Sequence, residues 1–149
     1  LIINKIIKKI PNIRFDIYGM NNAQPIWADN FKSIISRSKM AINLSQGNSI
    51  KFYTSDRITQ LIGNGLLTFV DINTKLNKFF KNDEVIFYKS IDDLSNKILK
   101  YSENDKLRIK IAKKGRDKYL KFFNSKLVSQ YILNKTLNIK YKKQYLWEK

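Results

Sequence analysis

The chain contains no cysteine and no histidine, and it has only 5 glycines and 2 prolines in 149 residues. The missing cysteine and histidine exclude Cys/His zinc sites, thiol catalysis and Ser-His-Asp triads from this chain. The absence of cysteine also fits a reducing compartment, so we expect a cytoplasmic protein. Long apolar runs are lacking too, and none approaches the ~20 residues that a helix needs to span a bilayer.

Acidic residues are scarce: 12 Asp and Glu stand against 29 Lys and Arg, which gives a formal net charge of +17. Residues 100–149 hold 15 of the basic residues and 4 of the acidic ones, a net charge of +11. The excess of positive charge has two interpretations. It either reflects a sequence rich in Lys, Asn and Ile, whose lysines lie on solvated helix faces, or it forms a functional basic face. Such a face would suit an anionic lipid surface at least as well as nucleic acid. The protein would then bind peripherally to the inner face of the plasma membrane.

At this length the chain can form one domain that buries roughly 68 to 70% of its unfolded surface. Apolar periodicity predicts strands at residues 14–18, 40–44, 66–70 and 85–88. It also predicts one helix that ends at Lys9, further helices at 30–38, 55–62 and 74–80, and helices that begin at Ile91, Asp105 and Ser125. This alternation indicates the α/β class, with a doubly wound parallel sheet and ligands at the carboxyl ends of its strands.

The most informative stretch is residues 55–71, which has the pattern of a helix, a glycine turn and a buried strand. Ser55 and Asp56 are residue types that cap helix N-termini. The turn Gly63-Asn-Gly65 tolerates left-handed backbone and ends the helix, whereas phosphate-binding glycine loops follow a strand and open a helix. The loop at residues 45–51 does follow a strand, so it and the next helix N-terminus could hold an anion. The alternative is a solvated loop with a capping serine.

The order and spacing of these features resemble the donor-binding half of a bacterial GT-B glycosyltransferase, in particular the CgeB-like branch of the family 4 type enzymes. Relatives carry Arg-x-x-Glu, a few small residues, a glycine and an apolar strand. Arg57 and Gly65 match in register, and Gln60 stands where most relatives have the glutamate that holds the donor ribose. Many retaining relatives have another glutamate eight positions earlier, where this chain has Phe52. The two-carboxylate pattern is therefore absent, and retaining stereochemistry cannot be inherited from it.

Further features in the same order extend the resemblance over residues 13–133. Two upstream segments are similar to the preceding strands of the family, residues 15–19 and 40–44. Downstream, relatives have a strand that ends in an aromatic residue, a helix opened by an acidic pair, and a helix with Ala-x-x-Gly-Arg. The corresponding segments here are residues 83–88, 91–94 and 112–116.

The resemblance implies a nucleotide-sugar donor and a hexosyl-type transferase that acts on a surface glycan, lipid or protein. It implies donor contacts from Arg57 and Gln60, and then from Ser55, Gly65 and Lys51. Arg57 would hold the diphosphate or brace the loop before it, Gln60 would bond the ribose, and Gly65 would let the backbone pass close to a ligand. GT-B transferases generally need no bound metal ion, so neither a metal nor another cofactor is expected.

Residues 1–134 are predicted to form a Rossmann-like nucleotide-sugar-binding domain. We expect it to be the C-terminal half of a longer enzyme, with an N-terminal GT-B domain as its partner, because the sequence opens inside a helix pattern. Residues 135–149 form a basic, aromatic tail that either packs on that partner domain or frays. The competing interpretation is a non-catalytic basic α/β module for nucleic acid or an anionic membrane surface. Its support is the interleaving of aromatic residues with lysine in residues 141–147.

Overall fold

The computed structural model describes residues 2–44, 49–53, 56–140 and 145–148. In this part of the chain, three parallel strands form a sheet in the order β1-β2-β3, and helices flank it. The predicted α/β class is confirmed. The strands are β1 (Met40–Asn43), β2 (Leu67–Asp71) and β3 (Ile86–Tyr88). The helices are α1 (Ile2–Lys9), α2 (Ala28–Arg37), α3 (Asp56–Gly63), α4 (Ile91–Ser102), α5 (Asp105–Phe122) and α6 (Ser125–Thr136).

One face of the sheet is covered by α1, α4 and the middle of α5. Alternate strand residues enter this core, because successive side chains of a strand point to opposite faces. Phe69 in the central strand and Leu94 in α4 are fully buried there. The core also includes Ile3, Ile6, Ile10, Leu67, Ile86, Tyr88, Ile98, Tyr101, Ile111 and Ala112. Burial of each large apolar side chain contributes about 1.5–3 kcal/mol, so this core is the main stabilising element.

The opposite face is covered by α3 and by the turns that follow β2. Ile58 and Ile62 of α3 contact the central strand through Val70. The helix predicted at residues 74–80 is wrong, because two 3-10 turns, Ile72–Thr74 and Leu76–Lys78, occupy this region. Lys75 between them has a φ of 58°, and this left-handed backbone cannot continue an α-helix.

The strand predicted at residues 14–18 is also wrong. Ile13, Phe15 and Ile17 do pack against the core, and the residues between them are exposed, so the period of two is real. However, the structure assigns this segment no pairing with β1, β2 or β3. Alternating burial therefore arises here from an extended segment that covers the core without ladder hydrogen bonds.

Helix α5 lies along the amino ends of the strands. Arg108 donates from Nη1 to the carbonyl oxygen of Lys39, the residue before β1, at 3.3 Å. Gly115 abuts the residues before β3 so closely that a Cβ there would lie 2.2 Å from the carbonyl oxygen of Glu84. The glycine of the Ala-x-x-Gly-Arg pattern is thus a packing requirement, and the carboxyl ends of the strands lie at the edge away from α5.

The C-terminal tail packs on its own domain in the part that the structure describes. Tyr145 is buried, and the Trp147 ring centroid lies 5.8 Å from that of Phe123 and 5.5 Å from that of Tyr131. An ion pair of 3.1 Å joins Glu148 to Lys135 of α6. These contacts hold residues 145–148 against α5 and α6; Tyr141 lies outside the described residues.

Candidate functional site

The strands of this parallel sheet end at one edge, which is formed by Asn43 of β1, Asp71 of β2 and Tyr88 of β3. Asp71 and Tyr88 are direct register partners, and Asn43 pairs with Val70. In an open α/β sheet, ligands bind outside this edge because the connecting loops and the helix N-termini meet there. The polar residues of this edge therefore form the candidate site.

Asp71 ties together the segments that follow β1 and β2. Its Oδ2 accepts a hydrogen bond of 2.6 Å from Ser49 Oγ, and its Oδ1 accepts one of 2.8 Å from the backbone N–H of Asn73. Thr74 Oγ1 donates to the Asp71 carbonyl at 2.7 Å. The sequence reasoning gave Asp71 no role, although a carboxylate directly after a buried strand is a signal that could have found it.

Tyr88 and Asn43 bring two further polar groups to this edge. Burial, together with the nearby Asp71 carboxylate, raises the pKa of Tyr88 to about 12, so its hydroxyl keeps its proton at neutral pH and can donate a hydrogen bond. Asn43 is also buried, and its Oδ1 has no hydrogen-bond partner among the described residues. Buried polar atoms without a partner are rare, and this one lies in the last residue of β1.

Lys51 and Phe52 lie in the segment between β1 and α3. Phe52 has a φ of 60° and donates its N–H to the Thr74 carbonyl at 2.7 Å. Lys51 is exposed, and its Nζ lies 5.1 Å from the Phe52 ring centroid. This region thus includes the predicted residue Lys51, while residues 45–48 and the predicted residue Ser55 lie outside the described residues.

Arg57 lies in the first turn of α3, at the same edge of the sheet. Its side chain is exposed, and Nη1 donates a hydrogen bond to the carbonyl oxygen of Leu44, the residue that follows β1. The helix start and the loop after β1 are therefore joined by a charge-assisted contact. This contact braces the residue that follows β1, and the predicted contact of Arg57 with a diphosphate stays a prediction.

Gln60 is exposed three residues further along α3. Its backbone carbonyl accepts a hydrogen bond of 2.7 Å from Asn64 Nδ2, while its side-chain amide makes no hydrogen bond to another described residue. Residues three apart are neighbours on a helix surface, so the structure brings Gln60 and Arg57 together on one exposed side.

Gly65 lies at the other end of α3, before β2. It has a φ of 79°, and its N–H donates to Ile62 O at 3.0 Å while the N–H of Leu66 donates to Leu61 O at 3.1 Å. These two bonds define a Schellman motif with glycine in the left-handed position. An α-helix rises ~1.5 Å per residue, so Gly65 is roughly 10 Å along the axis from Arg57 and is not brought into the same group.

A shallow depression of about 390 Å³ lies elsewhere on the domain. Its lining includes Asp83 and Lys114, whose side chains form an ion pair of 2.7 Å. The hydrogen bond from Lys114 lowers the pKa of Asp83. Because Asp83 precedes β3 and Lys114 belongs to α5, the depression is on the amino side of the sheet, away from the strand carboxyl ends. Across the described residues, no group of three or more acidic side chains could hold a metal ion.

One protein family matches the part of the chain that forms this fold. A family model described as glycosyl transferase-like matches residues 1–134, which include the whole sheet and helices α1 to α5. Neither a curated protein nor a solved structure matches the chain. Membership implies a transferase that uses a sugar donor and an acceptor. Since the match spans most of the 149 residues, the chain belongs to the glycosyl transferase-like family.

Proposed function

We propose that this chain binds a nucleotide-sugar donor for a GT-B glycosyltransferase of the CgeB-like type. The acceptor would be a surface glycan, a lipid or a protein, and the transferred sugar a hexose. The main supporting observation is the group of polar residues at the carboxyl edge of the sheet, where Arg57 and Asp71 fasten the loop after β1. Family membership supports sugar transfer as the reaction class.

The diphosphate of the donor would lie at the N-terminus of α3. Backbone N–H groups and the helix dipole favour an anion there. Lys51 and Arg57 add positive charge beside it, and Arg57 also fixes the Leu44 end of the loop. The predicted contact from Ser55, immediately before α3, belongs to the same proposal.

The ribose would lie beside Gln60. The side-chain amide offers two N–H donors and a carbonyl acceptor, which suit a pair of ribose hydroxyls. Its bonds are neutral, so each is weaker than the bond that a glutamate would make at this position. Gly65 would support this part of the site indirectly, because its turn fixes where α3 ends and β2 begins.

The chemical contribution of this domain is donor binding and stabilisation of the charge that develops on the leaving diphosphate. Fixed positive charges at the site stabilise that charge most when water is excluded. We propose that the second half of the cleft, with any catalytic base, comes from an N-terminal GT-B domain. No step of this scheme requires a metal ion.

A second candidate function is that of a non-catalytic basic module that binds an anionic membrane surface. Residues 100–149 have a net charge of +11, and α6 exposes apolar side chains beside its lysines, among them Val128, Ile132 and Leu133. A module that stacks nucleic-acid bases on the aromatic residues of its tail is less favoured, because Tyr145 is buried and Trp147 packs on Phe123. Among the described residues, no helix is both long and apolar enough to cross a bilayer.

Calorimetric titration with a panel of nucleoside diphosphates tests the proposal. We expect saturable binding of one or two of them, with competition by the matching nucleotide sugar. Inorganic sulfate at the same ionic strength is the control for simple attraction to a basic protein. No binding of any nucleoside diphosphate, or equal displacement by sulfate, would overturn the proposal.

A further inference from the structure

The part of the chain that the structure describes has two buried side chains with a polar atom that lacks a hydrogen-bond partner. They are Asn43 at the end of β1, through its Oδ1, and Ser95 in α4, through its Oγ. Native proteins keep few such atoms, because a buried polar atom without a partner has lost its hydrogen bonds to water and gained none in return. Each of the two therefore needs a physical explanation.

The hydroxyl of Ser95 can be explained within its own helix. A serine hydroxyl turns freely, and inside an α-helix the carbonyl oxygen four positions earlier lies within its reach. That carbonyl belongs to Ile91, the first residue of α4. A rotation about one side-chain bond would satisfy Ser95, so no group from outside the helix is needed.

Asn43 has no comparable local solution. Only 7% of the residue is exposed, and its side-chain amide makes no hydrogen bond to another described residue. Asn43 is held in β1 by its pairing with Val70, and side chains of a strand point away from the backbone groups of the sheet. The amide has one acceptor and two donors to satisfy. Its partner must therefore come from outside the sheet.

Asn43 lies on the face of the sheet that α3 covers. Its register partner Val70 belongs to the apolar cluster that includes Ile58 of α3, and register partners point their side chains to the same face. The next residue, Leu44, accepts the hydrogen bond from Arg57 in the first turn of α3. Asn43 is thus next to the part of the carboxyl edge where the proposed function puts the donor.

We propose that Asn43 binds a hydroxyl group of the nucleotide-sugar donor, beside the diphosphate. This inference rests on the proposed function and adds one residue to its site. An ionised phosphate oxygen only accepts hydrogen bonds, so it cannot satisfy Oδ1. A hydroxyl group both donates and accepts, as the amide does. The torsion that turns the amide is soft, so a rotation brings either of its polar atoms toward the ligand.

The unpaired amide gives the site a means of discrimination. A buried polar group that is satisfied only by a ligand hydroxyl rejects analogues that lack the hydroxyl, because the group then stays unpaired. Ribose hydroxyls and the hydroxyls of the transferred sugar share this chemistry. The choice between them is made by the ligands of the test.

The test is calorimetric titration of Asn43→Leu with a nucleotide sugar, with its nucleoside diphosphate, and with the 2′,3′-dideoxy form of that nucleoside diphosphate, which has no sugar hydroxyl. The variant should bind the nucleotide sugar about fivefold more weakly than the unaltered protein does, the effect of one neutral hydrogen bond. It should bind the dideoxy ligand equally well. An equal loss with the nucleoside diphosphate assigns the contact to the ribose, and a loss with the nucleotide sugar alone assigns it to the transferred sugar.

Ser95→Ala is the matched control, because it also removes a buried polar atom without a partner, from the helix on the opposite face of the sheet. It should bind all three ligands normally. Without ligand, Asn43→Leu should melt at the same temperature as the unaltered protein or a few degrees higher, since it removes an unsatisfied polar atom. Asn43→Ala only removes atoms, so it repeats the binding test without a larger group to accommodate.

Two results would overturn this inference and leave the donor site standing. In the first, both Asn43 variants bind all three ligands as Ser95→Ala does. In the second, both lose affinity equally for all three, the dideoxy ligand included, which would mean that Asn43 maintains the shape of the edge and contacts no hydroxyl. If the unaltered protein binds none of the three ligands, the proposed function is refuted, and this inference with it.

Discussion

Ser49 Oγ donates a 2.6 Å hydrogen bond to Asp71 Oδ2, which joins the segment after β1 to the end of β2. The two residues are 22 positions apart, and helix α3 lies between them in the chain. With the contact from Arg57 to Leu44, this bond fastens both sides of the loop that precedes α3. These two bonds therefore hold Leu44 and Ser49 in place before the N-terminus of α3, where we propose that the diphosphate binds.

Tyr88 should make stability fall in strongly alkaline solution. Its pKa is raised to about 12, above the ordinary value of 10, because burial and Asp71 disfavour the phenolate. The resulting stabilisation is fully present below pH 10 and is lost as the pH rises to about 12, with a size on the order of 2 kcal/mol.

Chemical denaturation from pH 8 to pH 12 measures this effect. Tyr88→Phe retains the ring and removes the hydroxyl, so its stability should decline less over that range than that of the unaltered protein. Parallel pH profiles for the two proteins would show that Tyr88 does not titrate in this way.

Two glycines should respond oppositely to alanine. At Gly115 a Cβ would lie 2.2 Å from the Glu84 carbonyl oxygen, so Gly115→Ala should lower the free energy of unfolding by about 1–3 kcal/mol. At Gly63, within α3, the nearest atom is 4.0 Å away, so Gly63→Ala should be neutral or stabilise by up to about 1 kcal/mol. Urea denaturation of the two variants measures the difference, and equal effects would refute the close approach of α5.

Gln60 should influence nucleotide affinity through its amide. Gln60→Glu should retain or improve donor binding, because an ionised acceptor forms stronger bonds to ribose hydroxyls. Gln60→Leu should weaken binding, since it has a similar size and no polar group. Titration with a nucleoside diphosphate and with its 2′-deoxy analogue measures both effects. A leucine variant with unchanged preference for the ribose form would remove Gln60 from the site.

The basic C-terminal third should bind anionic vesicles. Each lysine near such a surface contributes about 1 kcal/mol, so Lys126→Gln with Lys140→Gln should weaken binding roughly thirtyfold at low salt. The matched control is Lys5→Gln with Lys8→Gln in α1, which changes the same charge on exposed residues. Flotation with vesicles that contain phosphatidylserine measures the binding. Equal partition into neutral vesicles would reject the membrane surface, and tight, salt-sensitive binding to DNA would favour the nucleic-acid module.

The sequence predicted much of the fold because its strongest signals are local. The α3 to β2 unit was found from helical spacing and a glycine turn, and the Schellman motif at Gly65 follows directly from those residues. The error at residues 14–18 has a different origin. Alternation reports which side chains are buried, whereas a strand also needs a partner for its backbone, and no local pattern specifies that partner.

The candidate site was only partly predictable. Arg57 and Gln60 were proposed from their register with a family pattern, and Lys51 from its place in the loop after a predicted strand; the structure joins Arg57 to Leu44, directly after β1. Asp71 was missed, because its role depends on a hydrogen bond with Ser49, which is 22 positions away. Such contacts require the parallel strands to be aligned first, and spacing along the chain does not reveal them.

The most direct test of the central claim is the affinity of folded Arg57→Ala for a nucleoside diphosphate, measured by calorimetric titration. The control is Arg37→Ala, an exposed arginine at the end of α2, before β1 and thus on the amino side of the sheet. We predict that Arg57→Ala loses roughly 1.5 to 3 kcal/mol of binding free energy and that Arg37→Ala binds normally. If Arg57→Ala only melts at a lower temperature and binds the nucleotide as tightly as the control, the donor site is not at this edge.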